Sequence, residues 1–164
     1  MDDETGTRRW RRISQADDDP VQLLRAAILA VRAAPGDAEQ RRRLHARATA
    51  APEQAALLIA DEARAADRDE VAAAFYEELA DLHEDLDQPL ETIAAMEQLV
   101  ALAPGEVDHR DRLARLYHRA GAWAKAAEAF EQVAELARDD RARAALRAAG
   151  RLYRDNGRLE RAVA

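Results

Sequence analysis

The strongest constraint on this 164-residue chain is a punctuation mark that recurs at a fixed distance. Pro35-Gly36-Asp37 and Pro104-Gly105-Glu106 are near copies whose prolines lie 69 residues apart, two periods of about 34 to 35. Arg138-Asp139-Asp140 follows Pro104 by another 34, and a weaker break at Asp67-Arg68-Asp69-Glu70 falls about halfway between the prolines. Pro and Gly end helices, and acidic residues favour the start of the next. A period of this length marks one helical hairpin repeated along the chain, each hairpin leaving a face that only its neighbour can bury. Aromatics are only 4% and no run alternates apolar with polar, which argues against a strand-rich fold. The expected fold is all-α: about four antiparallel helical hairpins over 19–164, after a leader over 1–18.

The clearest unit is 107–140. It carries Leu113-Ala114, Tyr117, Gly121, Trp123, Ala126, Phe130 and Val133. Leu113 and Tyr117 share a helical face, and Gly121 stands where the first helix must stop with a left-handed residue. Ala126 is small where two helices cross closely. This order and spacing resembles the tetratricopeptide repeat (TPR), with Arg110 in place of the family's Trp and Arg138 in place of its Pro. The unit over 73–106 follows with Leu79-Ala80, His83, Met96 and Pro104, but Asp87 replaces the Gly and Thr92 the Ala. In 143–164, Ala149-Gly150, Tyr153 and Gly157 recur two residues late. This unit stops one or two turns into its second helix and reads as part of a longer array. Its edge at Leu159, Val163 and the outer side of Leu152-Tyr153 is expected to be open to self-association. The hairpins over 19–68 are degenerate: a helix over 20–34, one centred on Leu44, and one after Pro52, without a common register.

Charge is segregated by repeat. Residues 73–106 hold nine acids and neither Lys nor Arg, whereas 141–164 hold seven arginines against Asp155 and Glu160. The TPR resemblance implies a right-handed superhelix whose first helices line a concave groove. Carried onto this chain, its ligand-facing positions are Glu77, Asp81, Glu84 and Asp85, then Arg115, His118 and Arg119, then Arg147, Arg151 and Arg154. The last three are spaced four and three apart and fall on one stripe. Such a groove would suit a protein or peptide of acidic or mixed charge, or a second copy docked head to tail. Asp111 and Arg115 stand where chaperone-binding repeats carry their clamp residues, so a chaperone C-terminus is not implied.

No catalytic chemistry is legible. Cysteine is absent, so thiolate ligands and thiol nucleophiles are excluded. The four histidines form no H-E-x-x-H pattern, and no glycine-rich phosphate loop occurs. No cofactor or metal is expected. The net charge of −7 and the few aromatics disfavour nucleic acid. No apolar run approaches the length of a membrane span and the sequence carries no signal-peptide pattern, so a cytoplasmic location is expected. The Ala- and Arg-rich composition resembles that of GC-rich bacterial genomes. In the leader, Trp10 and Ile13 are expected to fold back on the first helix pair. The resulting reading is a non-catalytic protein–protein interaction scaffold, with a regulatory or sensory module of a larger enzyme or secretion assembly as the alternative.

Overall fold

The computed structural model describes residues 19–158, and within them every regular element is an α-helix. The helices are α1 (Pro20–Ala33), α2 (Ala38–Ala48), α3 (Pro52–Ala65), α4 (Asp69–Asp85), α5 (Pro89–Leu102), α6 (Val107–Arg119), α7 (Trp123–Leu136) and α8 (Asp139–Asp155). Proline opens α1, α3 and α5, where its missing N–H costs nothing. Asp19 caps α1 by accepting from the Val21 N–H, and Asp37 caps α2 by accepting from Glu39 and Gln40. The two Pro-Gly marks make the same turn. The Asp37 N–H donates to the Ala34 carbonyl at 3.1 Å, and the Glu106 N–H to the Ala103 carbonyl at 3.2 Å.

Helix ends repeat as well. Gly121 (φ 73°) follows α6 and Gly157 (φ 74°) follows α8, both left-handed. At the end of α6, the N–H of Ala122 reaches the Tyr117 carbonyl and that of Gly121 reaches His118, a Schellman closure. Arg158 and Gly157 repeat the pair on Tyr153 and Arg154. Asp87 takes the same left-handed place after α4, with φ 54°, and Gln88 and Asp87 close onto His83 and Glu84. A residue with a Cβ thus holds the glycine position of the 73–106 unit. The α2–α3 joint differs, with Thr49 right-handed (φ −64°), which is why those two helices share no register with the rest.

Two boundaries move. α4 begins at Asp69, a turn ahead of 73, because Asp69 and Glu70 extend its acidic first turn. α8 begins at Asp139 rather than near Arg143. Contacts cluster into two compact units that divide inside α4, between Leu82 and His83. In the first, α1 packs on α2 and α3, burying Leu24, Ile28, Leu44 and Ile59. Phe75 of α4 is fully buried as well, a core position that the motif does not mark. In the second, α5 packs on α6, α6 on α7 and α7 on α8.

Six motif residues of the 107–140 unit are buried, Leu113, Ala114, Tyr117, Ala126, Phe130 and Val133, and Trp123 is half-buried. The departures have local reasons. Thr92 tolerates an Ala position because its hydroxyl donates to the Gln88 carbonyl at 2.8 Å. Arg110, at the Trp position, donates from Nε to the Pro104 carbonyl (2.9 Å) and from Nη1 to Gln132 (2.5 Å). One expectation is corrected. Leu152 and Tyr153 are buried rather than open, while Leu146 is 55% exposed. Leu159 and Val163 lie outside the described residues, as does the leader with Trp10 and Ile13.

Candidate functional site

The first helices of successive repeats are laced together by ion pairs one period apart. Arg41 of α2 donates to Glu77 of α4 at 2.5 Å, and His45 Nδ1 lies 3.0 Å from the buried Glu78. Glu84, at the end of α4, receives Arg119 and Arg112 of α6, both at 2.7 Å. Arg141 of α8 pairs with Asp108 of α6. Hydrogen bonds from Arg119 and Arg112 hold the Glu84 carboxyl below the usual carboxylate range, and Arg141 does the same for Asp108. Much of the alternating charge in the sequence is therefore neutralised between neighbouring helices.

Beside the Asp108–Arg141 pair, α6, α7 and α8 enclose a cleft of about 420 Å³. Its floor is apolar: Phe130 of α7 with Ala145, Ala148 and Leu152 of α8. Its rim is charged. Asp111, Arg115 and His118 come from α6, and Arg141, Arg151 and Asp155 from α8. The helical period aligns Arg141, Ala145, Ala148, Leu152 and Asp155 on one face of α8. Asp111 holds Arg115 at 2.9 Å, four residues along the same helix. Among the described residues, no carboxylate lies within ion-pair distance of Arg151.

The sequence-derived site residues separate accordingly. Arg115, His118 and Arg151 come together on the cleft. Arg119 is taken by Glu84, and Glu77 by Arg41. Asp81 and Asp85 each have an interaction of their own. Arg147 and Arg154 are exposed on α8 away from the cleft lining, with Arg154 3.8 Å from Asp155. Sequence reasoning missed Arg141 and the alanine floor, although their spacing from Arg151 and Asp155 was there to be read. Among the described residues no cluster of His, Asp or Glu could hold a metal. No described helix is long and apolar enough to cross a membrane.

No family model matches the sequence, and no curated protein matches it. Solved structures do. A crystal structure of MamA aligns over 91% of this chain and 85% of its own, with a TM-score of 0.53 at 20% identity. The TPR-like repeats of a Podosopora anserina kinesin light chain align over 89% of this chain and 72% of theirs, with a TM-score of 0.52 at 23% identity. The fold is a TPR-like helical repeat. In TPR terms, the cleft lies between the first helices of two successive repeats, with Phe130 from the intervening second helix at its base.

Proposed function

We propose that this protein is a non-catalytic interaction scaffold that takes an acidic peptide segment of its partner into the cleft of α6, α7 and α8. The observation that carries this reading is Arg151. Its guanidinium stands at the rim of an apolar floor without a carboxylate partner among the described residues, whereas Arg115 and Arg141 are engaged by Asp111 and Asp108. Arginine binds carboxylates through two parallel hydrogen bonds, which favours an Asp or Glu side chain or a chain terminus. Ala145 and Ala148 leave room for a small apolar side chain beside that carboxylate. Asp111 and Asp155 disfavour a uniformly anionic ligand and suit a mixed sequence.

The test is a peptide display selection on the full chain, followed by titration of the selected peptides by fluorescence anisotropy. Arg151→Glu should weaken binding by about 10-fold or more, the loss of one charge-assisted contact. Selected peptides that bind the variant as tightly as the parent would overturn the reading.

A further inference from the structure

Two surfaces of this chain are complementary in their chemistry. The first is a groove of about 540 Å³ between α1 and α2. On α7, Ala126, Phe130 and Val133 form a buried stripe, with α6 packed on that helix. Counted from the helix start, the same three positions on α1 are Leu23, Ala27 and Ala30. They are only half-buried, and they form the apolar wall of the groove. The α2 wall carries Arg43 and Arg47, and no carboxylate lines the groove. Glu39 holds Arg43 at 3.0 Å and also takes Arg42. Among the described residues, no carboxylate lies within ion-pair distance of Arg47. An apolar wall facing a basic one suits an apolar group flanked by acids.

The second surface is the joint between α4 and α5. Leu86 follows α4 and is 38% exposed, and Leu90 in the first turn of α5 is 72% exposed. The left-handed Asp87 stands between them. The turn itself does not call for leucine. At the α6–α7 joint, 34 residues later, Ala120 and Ala124 hold the same two positions and are exposed as well. Two leucine side chains in water gain from any apolar cover. Asp87 and Glu91 flank them, and among the described residues neither has a Lys or Arg within ion-pair distance. We infer that the α1–α2 groove of one copy of this chain receives the Leu86–Leu90 joint of another, with Arg47 facing the Asp87 and Glu91 carboxylates. The α6–α8 cleft is a poorer seat, because Asp111 and Asp155 on its rim repel an acidic joint, and the inference does not rest on that cleft. Groove and joint are different surfaces, so the contact is heterologous. Each added copy leaves one groove and one joint free, and the assembly grows head to tail. Two leucines and a few charges make a weak contact, which places association at micromolar concentrations or above.

The test is sedimentation equilibrium of the full chain from about 10 µM to about 1 mM. Average mass should climb past that of a dimer across this range, and raising salt from about 50 to about 500 mM should weaken association severalfold. Arg47→Glu disables the groove, and Leu86→Ala with Leu90→Ala gives the joint the alanines of the next one. Each variant alone should stay monomeric with the parent's circular dichroism. Mixed in equal amounts, they should form a one-to-one dimer and nothing larger, because the intact groove of one variant takes the intact joint of the other. A monomeric parent, or a mixture that stays monomeric, would overturn the inference. So would variants that associate as the parent does. Loss of association with Arg151→Glu instead of Arg47→Glu would seat the joint in the α6–α8 cleft and overturn it too.

Discussion

Tyr117 on α6 donates its hydroxyl to Glu97 on α5 at 2.5 Å. One repeat later, Tyr153 on α8 donates to Glu131 on α7 at 3.1 Å. Each bond joins a first helix to the second helix of the repeat before it. Lys125 adds to the first bond, with Nζ 3.2 Å from the same Glu97 oxygen and 5.1 Å from the Tyr117 ring centroid. Tyr117→Phe should cost about 1 kcal/mol, read by urea unfolding, because it leaves a partly buried carboxylate short of a donor. A double-mutant cycle with Glu97→Gln should return a coupling of similar size.

The pH dependence has a definite sign. The hydrogen bond from Tyr117 lowers the Glu97 carboxyl, and those from Arg119 and Arg112 lower Glu84. A carboxyl lowered in the folded state contributes stability that is present above its unfolded pKa and lost as pH falls through the folded value. Melting temperature should therefore fall on acidification below about pH 5, and Glu97→Gln with Glu84→Gln should flatten that slope. Burial and the neighbouring Glu97 raise the Tyr117 phenol. Its phenolate absorbance should appear above the range of an ordinary tyrosine, with stability lost as the pH rises.

Helix-end geometry gives an opposed pair of variants. Asp87 bears the strain of a left-handed backbone that Gly121 adopts freely. Asp87→Gly should stabilise by about 1 kcal/mol. Gly121→Val should destabilise by at least about 1 kcal/mol, and purely through the backbone, since nothing lies within 4 Å of an added Cβ. Equal melting temperatures for the two variants would contradict the shared cap.

The core makes a third comparison. Phe75 is fully buried and Phe130 is 7% exposed at the base of the cleft. Phe75→Ala should cost about 3–5 kcal/mol, and Phe130→Ala about 3 kcal/mol, because water in the cleft relaxes part of the cavity.

Much of this architecture was legible in the chain. The Pro-Gly marks, Gly121 and the Leu113–Tyr117 stripe specify local backbone and helical faces, which a sequence records directly. Phe75 was not legible because it neighbours Tyr76, which takes the motif position, and only packing decides between two adjacent aromatics. The charge pattern marks Glu77, Glu84 and Arg119 as polar groups, and only the fold shows that each has an opposite charge beside it one period away. The pairing of Tyr117 with Glu97 and of Tyr153 with Glu131 was accessible in principle: the glutamates are themselves 34 residues apart.

The central claim is that the α6–α8 cleft receives the partner, and backbone hydrogen exchange of the full chain with a display-selected acidic peptide tests it most directly. Added protection should concentrate on Asp111–His118 and Ala144–Asp155, and Arg151→Glu should abolish it. Protection confined to other helices, or binding without any change along α6 and α8, would contradict the account.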